Sequence, residues 1–450
     1  MSKANRLAAS MLAFAVVGLM VLCGSLALAQ PAAPALDPAP VPAAAAAVPL
    51  DPDLATQAYL DTLPAAARAS SDAYFEGGYW LQLWDFLLAS GIGVLLLHTG
   101  ASAKMRDQAA RVTRARFVHT ALYWLMYLLA TSLLTFPMTI YESFVREHAY
   151  GLSNLTFGAW LADDLKGLGI AAVLGALVVP VLYAIVRRAR QTWWIWGALA
   201  MIVFLTFGIA ITPVFIAPVF NKYVAVQDER VRGPILALAR ASGIDARDVY
   251  EFDASRQSKR VSANVSGFGS TLRISLNDNL MNRSSLPEIE AVMGHEMGHY
   301  VLNHIPKAII ELGLVIVLGF AFVRLTFERL RARYAARWKV EGVDDPAGLP
   351  LFALLFGAYM FAMTPVVNTI IRTQEAEADI FGLNAARQPD GMAMVALKLA
   401  EYRKLSPGPI EELVFFDHPS GRNRIHMAMQ WKAEHVGATP LQPIESGRAP

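Results

Sequence analysis

The hydrophobic positions of this chain gather into long unbroken runs separated by short charged segments. Apolar stretches occupy about 80–98, 117–136, 167–187, 193–219, 308–323 and 350–371. A helix needs roughly 17–25 apolar residues to cross a bilayer core, so each run is a candidate transmembrane span. Tyr79, Trp80 and Trp84, and later Trp193, Trp194 and Trp196, flank runs as interfacial aromatic anchors do. Pro213 and Pro218 are placed to kink or end the fourth helix. An earlier run, Met11 to Leu28, follows Lys3 and Arg6 and ends in Ala27-Leu28-Ala29 before Gln30. That is the build of a secretory signal, with an uncleaved first membrane helix as its rival. Residues 30–53 form a Pro/Ala-rich linker, 54–219 an N-terminal membrane domain and 433–450 a C-terminal tail.

Between the fourth and fifth runs the pattern changes. Val231, Ile235, Leu238 and Ala239 recur at helical spacing within Asp228 to Ser242, with Gly243 as a stop signal. Val249 to Phe252 alternates as a short strand. Lys259–Val265 and Thr271–Leu276 predict a hairpin around Ser266-Gly267-Phe268-Gly269. Ser285, followed three residues on by Glu288 with Pro287 between them, marks a capped helix start.

Composition agrees with the runs. Of 450 residues, 55% are hydrophobic and only 17% charged, against about 25% charged in soluble domains. The net charge of +2 leaves no basic footprint for nucleic acid. The single cysteine, Cys23, excludes a disulfide and a cysteine-ligated metal. Basic residues fall in alternate loops: Lys104, Arg106, Arg111, Arg114 and Arg116; Arg187, Arg188 and Arg190; Arg324, Arg329, Arg331, Arg333, Arg337 and Lys339. The intervening loop 137–166 holds only Arg146 and Lys166. Basic loops stay in the cytoplasm, so 220–307 and 372–450 are expected on the outer face of a bacterial inner membrane, in the periplasm.

The chemistry centres on His295-Glu296-Met-Gly-His299. Histidines at i and i+4 share a helix face, a spacing that suits one tetrahedral zinc, with Glu296 one step round as general base. Gly294 and Gly298 weaken that helix and suggest a close neighbour. A third ligand is needed, and Arg372-Thr-Gln-Glu375-Ala-Glu377-Ala-Asp379 supplies candidates past the last apolar run. Glu375 and Asp379 share a face while Glu377 points away, so Glu375 is the expected ligand and Asp379 the carboxylate orienting an imidazole. A solvated acidic helix face is the plain alternative. His98, His119, His148, His304 and His426 take structural or surface places. Asp85, Glu311 and Asn368 interrupt apolar runs, where lining an aqueous chamber or lying near an interface relieves them.

These motifs in this order, followed by His418-Pro419-Ser420 and Arg424-Ile425, resemble the CaaX prenyl protease 1 family from about residue 55 to 432. The resemblance implies an integral-membrane zinc endopeptidase acting in CaaX-type processing or membrane-protein quality control. It implies one Zn2+ per chain on His295, His299 and Glu375, with Glu296 as catalytic base and Asp379 as proton donor or histidine orienter. His418 and Arg424 match residues that steady the intermediate or the substrate, and Asn264 matches the edge strand along which substrate is laid. Ser420 stands where the family pattern has a second proline.

The implied fold is mainly α: a ring of six or seven membrane helices around a chamber, with a small α+β gluzincin-type peptidase domain at 220–432. The expected partners are a peptide substrate and the lipid bilayer, with the chain monomeric. Two other readings compete. An intramembrane-cleaving protease is disfavoured by the polar flanks Glu288, Glu290, Asn303, His304 and Lys307. A transporter or scaffold with a structural zinc is disfavoured because closed sites use a fourth protein ligand.

Overall fold

The computed structural model describes residues 50–267 and 272–436. The signal or first span at 1–29, the linker up to residue 49, the hairpin tip at Phe268-Gly269 and most of the tail lie outside the described residues. The helices in order are α1 (Pro52–Asp61), α2 (Ala65–His98), α3 (Ala101–Val112), α4 (Arg116–Ala149), α5 (Phe157–Arg188) and α6 (Trp193–Phe220). Then come β1 (Tyr223–Ala225), α7 (Glu229–Ala241), β2 (Val249–Phe252), β3 (Ala263–Ser266), β4 (Arg273–Asn277), α8 (Asp278–Arg283) and α9 (Leu286–Val301). The chain closes with α10 (His304–Trp338), α11 (Leu349–Ala386), α12 (Pro389–Lys398), α13 (Pro409–Phe415) and α14 (Gly421–His435).

Among the described residues six helices are long and apolar enough to cross a membrane: α2, α4, α5, α6, α10 and α11. Each packs against the next in the order α4, α5, α6, α10, α11, α2, and α2 returns to α4, so the six close a ring. The α2–α4 contact is sparse, and a cleft of about 650 Å³ lined by Trp80, Trp84, Leu87, Met138 and Tyr141 opens there. Pro213 does not end α6; the backbone widens into a π-turn over Thr212–Ile216 and the helix stops at Phe220. Trp80 and Trp196 are exposed, but Trp193 is buried among Phe320 and Phe352 and so packs the ring instead of anchoring it. The interrupting polar groups find protein partners. Asp85 lies beside Glu142, Glu311 accepts from Gln374 Nε2 at 2.7 Å, and Asn368 donates to the Val414 carbonyl at 2.8 Å.

The helices outrun their apolar stretches. At about 1.5 Å per residue, the 38 residues of α11 extend some 57 Å, roughly twice a hydrocarbon core. Its second half therefore leaves the membrane without a break, and the acidic stretch at 375–379 is a continuation of the last span. The first half of α2 projects likewise, with Tyr79 stacked on Phe415 and bonded to Glu411.

The two ends of the ring differ. At one, Arg106 pairs with Asp345 and donates to the Lys339 carbonyl, which joins the basic loop after α2 to the one after α10. At the other, the turn before α5 meets the soluble domain through a bridge between Ser153 and Ser258 and the bond from Asn154 N to the Gln257 carbonyl.

That domain holds a four-stranded sheet in the order β1-β2-β4-β3, parallel only between β2 and β4. Inward residues Val249, Ile274 and Leu276 share a core with Ile289, Val292, Met293 and Met297 of α9. A second core joins α1, α12 and α14, with Tyr59, Leu60, Met392, Ile425 and Met429 buried together.

Candidate metal centre

The helix α9 is fixed at its start. Ser285 caps it, and Glu288 returns to the Ser285 backbone nitrogen at 2.6 Å, the expected capping box. The other carboxylate oxygen of Glu288 meets the buried Lys398 ammonium at 2.6 Å, which ties α9 to α12.

Along its length α9 lies directly on α11. A Cβ on Gly294 would come 3.0 Å from the Gly382 carbonyl, and one on Gly298 would come 3.1 Å from Ala378. Side chains larger than hydrogen at these positions would hold the backbones apart. This close crossing sets the His-bearing and carboxylate-bearing helices against each other, and it accounts for two glycines inside a helix where they lower intrinsic stability.

The crossing brings together His295, His299 and Glu375, whose donor atoms all lie within 4.8 Å of one another. His295 Nε2 is 3.1 Å from His299 Nε2 and 3.3 Å from Glu375 Oε2, and His299 Nε2 is 3.4 Å from Glu375 Oε1. The other nitrogen of His295 is taken: Nδ1 donates to Asp379 Oδ1 at 2.8 Å. Asp379 is in turn held by Arg424, whose Nε donates to Oδ2 at 2.8 Å while Nη2 donates to Glu375 Oε2 at 3.1 Å. Arg424 is buried and both of these donors are engaged by carboxylates, so it acts through them. His418 reaches the same cluster, with Nε2 3.1 Å from Glu375 Oε2 and Nδ1 2.8 Å from Asp417 Oδ1. Asn264 sits elsewhere, half-buried at the middle of β3, the edge strand that runs beside α9.

The electrostatics of the cluster favour a cation. Burial alone would lower the His295 imidazole, but the carboxylates of Asp379 and Glu375 lift it to about 10. A site that holds a proton that firmly is a site whose field calls for positive charge between those groups. His299 moves the other way, down to about 3, through burial and the neighbouring His295, His304 and His418. Its ring is therefore neutral at ordinary pH. Glu296 is pushed up to about 7, first by burial and also by Glu375, against His295 and Arg424. Two imidazole nitrogens and one carboxylate, without a thiolate, form a donor set suited to zinc with one position left open.

Two members of the cluster were not marked in the sequence as site residues. Asp417 bonds His418. His304 Nδ1 lies 2.9 Å from His299 Nδ1, and His304 Nε2 lies 3.1 Å from Glu377 Oε2. The sequence signal for Asp417 was adjacency to His418. For His304 it was a histidine five residues after His299, which helical spacing does not place on the same face; a turn between two helices does.

Known proteins share this chain's pattern. Residues 225–432 match the model of peptidase family M48, and residues 55–222 match that described as CAAX prenyl protease N-terminal, five membrane helices. The Bacillus subtilis (strain 168) protein named "Uncharacterized metalloprotease YhfN" is 30% identical over 74% of this chain and 79% of its own length. "CAAX prenyl protease 1" of Saccharomyces cerevisiae is 27% identical over 66% of this chain and 68% of its own. Among solved structures, Ste24p of S. mikatae superposes with a TM-score of 0.70 at 20% identity, covering 94% of this chain and 98% of that one.

Proposed function

The chain belongs to peptidase family M48 and is a membrane-embedded metalloendopeptidase, and from that premise we propose how its own residues perform the reaction. His295, His299 and Glu375 hold one zinc ion; the observation that carries this is the convergence of their donor atoms within 4.8 Å. When bound, zinc supplies Lewis acidity, lowering the pKa of water and polarising a carbonyl. Glu296, one residue along from His295 on α9, accepts the proton of the attacking water and passes it to the leaving amine. Asp379 holds the His295 ring through Nδ1, which keeps Nε2 pointed at the metal. Arg424 positions Asp379 and Glu375 by binding both. His418 lies against Glu375, and its imidazole, turning from that carboxylate toward the substrate, stabilises the developing oxyanion. Asn264 belongs to the edge strand, where an extended substrate adds as a further strand.

The names of several relatives carry CAAX processing. For this chain we assign exposed peptide segments reaching the outer face of a bacterial inner membrane. The basic loops support that side, since the loops after α2 and α10 meet at the ring end opposite the soluble domain. A periplasm-active reporter fused after Gln430 is expected to be active, and a silent fusion reverses the orientation.

The decisive experiment compares zinc-loaded wild type with Glu296→Gln on a broad peptide library. Wild type cleaves, and the variant keeps its zinc while losing about 10³-fold or more in kcat/KM, as loss of a general base and its charge requires. Equal turnover by both proteins rules out Glu296 as the base.

A further inference from the structure

The ring of His299 has two nitrogens and only one faces the centre. Its Nε2 converges with His295 and Glu375, so Nδ1 must carry a proton if Nε2 is to present a lone pair. A metal-bound imidazole ordinarily donates that proton to a carboxylate, a carbonyl or water. Here the atom within reach is Nδ1 of a second histidine, His304, at 2.9 Å.

Two N–H groups cannot point at each other across that distance, so one Nδ1 has to accept. The remaining contacts decide which. His304 Nε2 lies 3.1 Å from Glu377 Oε2, and a carboxylate can only accept, so the His304 proton sits on Nε2 and its Nδ1 is bare. Glu377 is kept anionic and in place by Lys307 Nζ, at 2.9 and 2.6 Å from its two oxygens. The opposite arrangement, with His304 donating to His299, would put the His299 proton on Nε2, where it would block the metal.

The backbone explains how His304 arrives there. Asn303 adopts φ 55° and ψ 42°, the left-handed conformation that asparagine tolerates better than most residues. This turn ends α9 and starts α10 at once, folding the first residue of α10 back beside His299. His304 is 3% exposed, so its ring has no room to turn away.

We infer that His304, with its tautomer set by Glu377, is the positioning residue for His299, forming a relay Glu377–His304–His299 that prepares Nε2 for the metal. This makes the centre asymmetric: His295 is oriented directly by a carboxylate, and His299 through an intervening imidazole. The inference rests on the zinc reading above, and its test separates the two.

The test uses the purified full-length chain in detergent, with zinc affinity measured by chelator competition and the visible spectrum recorded after cobalt substitution. His304→Leu removes the acceptor and is expected to weaken zinc binding about 10–100-fold and shift the cobalt bands. His304→Asn, whose carboxamide oxygen can accept from His299 Nδ1, recovers most of both. Glu377→Leu, at a partly exposed position that does not threaten folding, is expected to weaken zinc about 10-fold, with Glu377→Gln closer to wild type. His304→Leu or Glu377→Leu within twofold of wild type, with unshifted cobalt bands, overturns the relay, as does a His304→Asn no better than Leu. If His304→Leu does not fold, the Glu377 pair decides alone. Wild type failing to bind zinc would instead remove the metal reading itself.

Discussion

A Cβ placed on Gly382 would sit 2.8 Å from the amide nitrogen of His295. The helix of carboxylates and the helix of histidines thus meet backbone to backbone, and the ligand geometry depends on how closely they approach. Gly382→Ala must push them apart by several tenths of an ångström, with about 1–3 kcal/mol of overpacking. We expect a lower melting temperature and a zinc affinity reduced at least about tenfold. Gly408→Ala, where an added Cβ meets nothing within 4 Å, is the silent control. Undiminished zinc binding by Gly382→Ala would show that the crossing does not set the site.

Arg424 lies between two buried carboxylates, with its side chain 5% exposed. Removing one partner of a buried ionic cluster leaves uncompensated charge, with a penalty of about 3–5 kcal/mol. Arg424→Met is therefore expected to destabilise the metal-free protein by that order in chemical denaturation. Adding Asp379→Asn to it should recover part of the loss, because one of the stranded charges is gone. If the double variant is no more stable than the single, Arg424 is a packing residue and its charge is incidental.

How much of this was legible in the sequence depended on whether the signal was local. The capped start of α9 was legible because Ser285, Pro287 and Glu288 interact within one turn. The choice of Glu375 over Glu377 followed from helical phase, and the structure has Glu375 at the cluster while Glu377 faces Lys307 and His304. The hairpin registered too: β3 pairs antiparallel with β4, Asn264 opposite Ser275. What hydrophobic runs did not show was how far helices continue past the bilayer. The extension of α11 is held by packing against α9, and propensity alone marks no boundary there. Helix α12 and the docking of α1 on α14 were missed for the same reason, since their apolar residues are complementary only in three dimensions. His304, read from the sequence only as a structural or surface residue, lies five positions past His299, a spacing that fits no single helix face. The left-handed Asn303 that repositions it is a tertiary fact.

Glu296 gives the metal-free protein a characteristic pH dependence. Its folded pKa of about 7 lies above the ordinary 4.5, chiefly through burial. Between those values the folded state holds a proton that the unfolded state has lost, so stability falls as pH rises through the window and levels off above it. Glu296→Gln cannot titrate. Its metal-free melting temperature should therefore gain on wild type from about pH 4.5 to pH 7 and run parallel afterwards. Parallel curves throughout would mean the carboxyl is not perturbed.

Zinc binding itself should release a proton, and the pKa shifts say which one. Near pH 8 His299, lowered to about 3, and Glu296, raised to about 7, have both lost theirs, while His295, lifted to about 10, still carries two ring protons. The one on Nδ1 belongs to the bond with Asp379 and stays; the one on Nε2 must leave before that nitrogen can bind metal. Loading zinc at about pH 8 is then expected to release about one proton per chain, read with a pH indicator in weak buffer. Apparent affinity should rise about tenfold per pH unit over the range from about 8 to 10 and flatten beyond it, as competition with that proton ends. Asp379→Asn removes the hydrogen-bonded carboxylate that lifts His295, while its carboxamide oxygen still accepts from Nδ1. With Glu375 alone left to lift His295, the variant should release clearly less than one proton and show a shallower pH profile, even if its affinity is lower overall. A wild type that binds zinc without releasing a proton at that pH would show that the carboxylates do not hold His295 charged, and the electrostatic account of the centre would fail with it.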